Sequence, residues 1–115
     1  MVNSIKLTRE EQMYKLTYFV PKEAKEKTKQ ALFDIGAGKY ENYECCSFET
    51  LGHGQFKPIK GANPYIGTLD RLEIVEEYKV EMICADELIK KAVEVLKETH
   101  PYEEVAYEVF RMEEI

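Results

Sequence analysis

The sequence contains no tryptophan, only two histidines, three cysteines and four prolines. No CxxC spacing occurs and Cys45 and Cys46 are adjacent, so neither a disulfide framework nor a zinc knuckle is indicated. Reduced thiols suit a cytoplasmic protein. With so few imidazoles and thiols any metal site is small, and no Ser-His-Asp constellation follows from spacing. No apolar run approaches the ~18 residues that cross a bilayer, and Met1 to Leu16 lacks the hydrophobic stretch of a signal peptide. That excludes a membrane partner. An excess of positive charge is also missing. Sixteen Lys and Arg against 22 Asp and Glu leave a net charge of −6, which argues against nucleic acid as a partner. Nor is this a disordered chain, because 44% of residues are hydrophobic, with eight Tyr and five Phe. Its 115 residues suffice for one domain, with a radius of gyration of ~13 Å if compact.

Residues 1–12 carry a mixed charge run and little apolar pattern, and read as a tail before a single domain over residues 13–112. From Met13 to Val20 a Tyr-rich and β-branched run predicts a strand buried for much of its length. Pro21 suits the first turn of a helix. Ala24, Thr28, Ala31, Leu32 and Ile35 then share one helical face, with Lys22, Lys25, Lys27 and Lys29 mostly elsewhere as a solvated face, and Gly36 and Gly38 supply a left-handed stop. A second extended run covers Tyr43 to Leu51. The third is the clearest, with Leu72, Ile74, Tyr78, Val80 and Met82 alternating against Arg71, Glu73, Glu77, Lys79 and Glu81. Asp86 is placed as an N-cap for a helix carrying Leu88, Ile89, Ala92, Val93 and Leu96 on one stripe. Pro101 ends that helix, and a last strand starts near Val105.

Strand, helix, strand, strand, helix, strand is the order of an α+β, ferredoxin-like βαββαβ sandwich. It has a four-stranded antiparallel sheet with two helices on one face. Right-handed crossovers put the first and third strands in the centre and the second and fourth at the edges.

The connection between the second and third strands is unusual. Thr50 to Leu69 contains no carboxylate, yet holds Lys57, Lys60, His53, four of the six Gly and two of the four Pro. Hairpins close with ~2–5 residues, so a longer loop has a task or is disordered. Its Gly and charge suit a phosphate or carboxylate ligand, and an arm packed on a neighbouring subunit is the competing explanation. In His100-Pro101-Tyr102-Glu103-Glu104, a His beside a helix C-terminus together with Glu103 can hold a divalent ion or a ligand hydroxyl. The favoured role is structural: His caps carbonyls, Pro stops the helix, Tyr fills the core and Glu faces water. His53 meeting His100 or Cys46 would form a soft-metal site for copper or zinc, and this makes His53 and His100 the metal candidates. Cys46 otherwise reads as a small buried hydrophobe.

The words "GHGQFKPIKGANPYIG" (Gly52 to Gly67) and "HPYEEVAYEV" (His100 to Val109) closely resemble the small domain inserted in the NGG-interacting-factor family of dinuclear-metal proteins. This family includes the YqfO type and is often labelled GTP cyclohydrolase I-like. "FVP" (Phe19 to Pro21), "GAGKYENYECCSF" (Gly36 to Phe48) and "RLEIVEEYKVE" (Arg71 to Glu81) agree in order, so the resemblance covers about residues 13–110. Such inserts resemble the trimeric PII signalling proteins and CutA, which independently implies the ferredoxin-like fold. In the full-length family the insert divides a metal-binding α/β domain. The present sequence holds neither half, so the resemblance implies a standalone, non-enzymatic module to which a hydrolase activity does not transfer.

It further implies a homo-oligomer, a trimer, that binds a small ligand or divalent cation at subunit clefts. The ligand-binding candidates are Gly54, Gln55, Phe56, Pro58, Gly61, Pro64, His100, Tyr102 and Glu103. The alternative is an oligomerisation domain without its own ligand, docking another protein through residues 50–69.

Overall fold

A computed structural model describes residues 12–115. The expected tail, apart from Gln12, lies outside the described residues. The chain runs β1 (Met13–Pro21), α1 (Lys22–Asp34), β2 (Phe48–Phe56), β3 (Glu73–Ala85), a 3-10 turn at Asp86–Leu88, α2 (Ile89–Thr99) and β4 (Tyr107–Met112). All strand pairs are antiparallel and the order is β2-β3-β1-β4, with the first and third strands central as expected.

Alternation of side chains across each strand divides the sheet into two faces. Tyr14, Leu16, Tyr18 and Val20 of β1 share a face with Tyr78, Val80, Met82 and Cys84 of β3, and the helices cover it with Ala24, Leu32, Ala92 and Leu96. One polar link crosses this core. The Thr28 hydroxyl donates to a carbonyl of its own helix, at Ala24 or Lys25, and pairs with the Tyr18 hydroxyl at 2.9 Å. Burial pushes the Tyr18 phenol up to about 12. The other face is open. It carries Lys15, Thr17 and Phe19 of β1, Glu77, Lys79, Glu81 and Ile83 of β3, Phe48 of β2 and Phe110 of β4.

The helix stop falls where Gly36 places it: its φ is +103°, and its N–H reaches the Phe33 carbonyl at 3.0 Å. Lys25 and Lys29 depart from a purely solvated face. Both reach Glu49 on β2, at 2.5 and 2.9 Å, and Lys25 lies 4.0 Å from the centre of the Tyr78 ring. The Asp86 side chain does not cap α2, because the 3-10 turn intervenes and the cap position of α2 is Leu88.

The second strand is displaced from the expected Tyr43 to Leu51. Tyr40 and Tyr43 exchange backbone hydrogen bonds in a tight turn, and Glu41 and Cys45 take left-handed backbone, so extended structure begins only at Phe48. Cys45 and Cys46 therefore sit in a loop, exposed and half-buried, and the buried thiol is Cys84. At its far end β2 continues through Gly52 and Gly54, residues of low strand propensity, because nine register positions with β3 hold it extended. Residues 50–56, the first third of the expected connection, are thus strand, and the true connection is residues 57–72.

Residues 53–56 and 73–76 pair with each other beyond the end of β1, forming a two-stranded arm. Ile74 and the neighbouring Leu72 sit on or beside that overhang, which is why these members of the apolar alternation are exposed. At 13 residues β3 alone spans ~43 Å. The radius of gyration is accordingly 16.7 Å, above the value for a compact domain of this length.

Candidate functional site

The base of the arm, the connection that closes it and the segment leading into β4 enclose a cavity of about 430 Å³ on the open side of the sheet. Its floor comes from alternation. Gly54 presents no side chain toward the open face, and the Glu77 carboxylate lies across it, so close that an added Cβ would collide with Oε1. Phe19 of β1 and Phe56 at the end of β2 flank this floor.

The wall is set by the segment after α2. His100 is buried, and its Nε2–H donates to the Phe19 carbonyl at 2.7 Å while Nδ1 accepts the Tyr102 N–H at 3.1 Å. The Phe19 N–H in turn reaches the Ala106 carbonyl at 3.2 Å. These bonds fix the neutral Nε2–H tautomer and pin the segment beside β1. Burial depresses the His100 pKa, with the carbonyl bond and Glu77 opposing it. Tyr102 is thereby aimed over the sheet, where its hydroxyl donates to Glu77 Oε2 at 2.9 Å. Desolvation and that carboxylate raise its pKa well above the usual phenol value.

The lid is the connection 57–72. Pro58 is buried and its carbonyl accepts the Asp70 N–H at 2.6 Å, closing the loop on itself. The Asn63 N–H donates to Glu103 Oε2 at 2.9 Å, tying lid to wall. Tyr65 and Phe56 lie 6.0 and 6.5 Å from the Tyr102 ring, centre to centre, both tilted.

Of the nine sequence candidates, Gly54, Gln55 and Phe56 line the cavity from the arm, Pro58 and Pro64 from the lid, and Tyr102 and Glu103 from the wall. Gly61 lies outside the lining, and His100 acts one layer back as the group that positions Tyr102. His53 is exposed on β2 opposite Glu76, pointing to the other side of the sheet from Gly54. Both ring nitrogens of His100 are already engaged, and among the described residues no group of three or more His, Cys, Asp or Glu is arranged to hold a metal ion.

The expectation of an anion also changes. Lys57 lines the cavity and Lys60 does not, whereas Glu77, Glu103 and Glu104 all do. Loop composition predicted the wrong sign because the carboxylates arrive from other elements.

No family model matches the chain. A "GTP cyclohydrolase 1 type 2 homolog" of Halalkalibacterium halodurans is 43% identical over 103 residues, covering 90% of this chain and 28% of that protein. The Bacillus subtilis protein of the same name is 40% identical, covering 87% and 27%. A solved Bacillus cereus protein related to NIF3 superposes with a TM-score of 0.78 at 38% identity, over 90% of this chain and 26% of that one. The chain is a homologue of one domain of the NIF3-related proteins. It spans little more than a quarter of their length.

The chain also shares its fold with the B. subtilis GlnK–ATP complex (TM-score 0.60, 16% identity, 93% and 85% coverage). Archaeoglobus fulgidus CutA, a periplasmic divalent cation tolerance protein, matches likewise (0.65, 13%, 89% and 85%). Among the described residues no helix is long and apolar enough to cross a membrane.

Phe19, Tyr65, Glu77 and Glu104 also line the cavity, with Lys57, Ala62, Ile66 and Ala106, and were not among the sequence candidates. Tyr65 was legible as an aromatic inside the Gly- and Pro-rich word. Glu77 was not, since only strand register puts it beside Gly54.

Proposed function

We propose that this PII/CutA-like domain is a non-enzymatic, self-associating cytoplasmic module that binds a small molecule in the cavity between arm, lid and wall. The observation that carries the reading is convergence. Residues from four separate stretches of the chain, Phe19, 54–66, Glu77 and 102–106, meet around one hollow of about 430 Å³, within the ~300–1,000 Å³ range of ligand sites. Its surface is mostly apolar and aromatic, with a few polar groups at fixed positions, which is how small-molecule sites obtain affinity and orientation together. The small-molecule half of the reading has this support. A divalent ion held by His53 and His100 does not draw on it.

Self-association is proposed from the exposed open face. Phe48 and Phe110 are 69% and 56% exposed there, beside the half-buried Ile83. Apolar groups of this size on a sheet face and on its unpaired edges call for a cover. A cyclic trimer, as the resemblance to PII proteins implies, supplies one without leaving an open edge. A second reading, docking of another protein on the arm, is favoured by Ile59, Leu72 and Ile74, which are 59–62% exposed around it.

Titration of the full chain with indole, followed by ¹⁵N NMR, tests the ligand site. Saturable shifts centred on Gly54, Phe56, Lys57 and Tyr102, with a dissociation constant in the range of about 0.1–10 mM, are expected for a bare fragment. Shifts scattered over the surface, or none, would reject the cavity as a binding site.

A further inference from the structure

We infer that the cavity takes an organic cation, an ammonium or guanidinium group carried on an apolar body; this rests on the reading of the cavity as a ligand site. The first support is the shape of its aromatic wall. Around Tyr102, the Phe56 ring is inclined by 55° and the Tyr65 ring by 43°. Rings tilted in this way surround a guest from several directions instead of offering one flat slot. Each ring carries negative potential on its face, so such a wall attracts a cation as well as apolar atoms.

The second support is the charge of the lining. Three carboxylates stand against the single ammonium of Lys57. Glu77 matters most. It is half-buried in largely apolar surroundings, and its carboxylate receives the Tyr102 hydroxyl but has no ion-pair partner among the described residues. A half-buried carboxylate that accepts a single bond from a neutral hydroxyl keeps acceptor capacity on the cavity side, and an organic cation can engage it by a charge-assisted hydrogen bond. Its Oε1 lies directly over the bare backbone of Gly54, and both residues line the cavity. Glu103 spends Oε2 on the Asn63 N–H, and Glu104 at the rim makes no ion pair among the described residues. An anionic guest would meet all three.

Three probes of one shape separate the alternatives: phenethylamine, 2-phenylethanol and 3-phenylpropanoate, titrated into the full chain at physiological salt and followed at the amides of Gly54, Phe56 and Tyr102. The amine is expected to bind about tenfold more tightly than the alcohol, and the carboxylate not to saturate. Glu77→Gln should weaken the amine about tenfold and leave the alcohol unchanged. Glu104→Gln, at an exposed position with no hydrogen bond or ion pair among the described residues, should weaken the amine about threefold and keeps the test valid if the first variant folds poorly. Equal affinity for amine and alcohol, or preference for the carboxylate, overturns the cation inference while the ligand site stands. Failure of all three probes to shift the cavity amides overturns both.

Discussion

At the scale of single residues, His100 explains how a surface-looking motif becomes interior structure. One ring nitrogen donates to Phe19 and the other accepts from Tyr102, so protonation must break the second bond. Its folded-state pKa is depressed from the ordinary 6.5, mainly by burial. The unfolded chain therefore binds the proton more readily, and below about 6.5 stability falls as pH drops toward the folded pKa. Above that range the contribution is fully present. Denaturant melts between pH 7 and 5 should show this loss, and His100→Gln, which keeps a donor but cannot titrate, should flatten the slope. An unchanged slope in the variant would remove His100 as the cause. The motif was readable as a helix stop, whereas the burial of its His and the bond from Nε2–H to the Phe19 carbonyl were not, because β1 lies some 80 residues earlier in the chain.

At the scale of elements, the arm shows one strand serving two purposes. Along β2 the side chains alternate, so Gly52 and Gly54 both face the open side, but their surroundings differ. A Cβ at 52 meets nothing within 4 Å, while at 54 it strikes the Glu77 carboxylate that Tyr102 holds in place. Gly52→Ala should be neutral or slightly stabilising, since it reduces the freedom of the unfolded chain. Gly54→Ala should displace Glu77, lower the melting temperature by about 4–8 °C for roughly 1 kcal/mol, and weaken indole binding several-fold. Thermal melts of the two variants side by side check the contrast, and equal behaviour would show that the floor does not depend on a bare backbone at 54. Glycines in this word read naturally as loop residues. Cross-strand pairing with β3 is a non-local interaction that propensity does not contain.

At the scale of the whole molecule, the sheet has one face sealed by helices and one bearing large apolar groups beside charges. The Lys15–Glu81 pair at 2.5 Å crosses that open face between Phe48 and Phe110. Light scattering at micromolar concentration is expected to give about three times the 13.4 kDa chain mass, and Phe48→Glu with Phe110→Glu to give the monomer. A monomer from the unaltered chain would sink the proposed assembly. The sequence alone determined the element order, the central and edge strands and the core face, because amphipathic period and turn residues are local properties written into neighbouring positions. It also marked out, through two long words, most of the residues that line the cavity. Only the tertiary structure decided that His53 and Gly54 part to opposite sides of one strand, that the loop's positive charge is outweighed by Glu77, Glu103 and Glu104, and that His100 is a support behind the wall. Each of these depends on register and on chain segments far apart in sequence, and pairing at that distance is settled by packing.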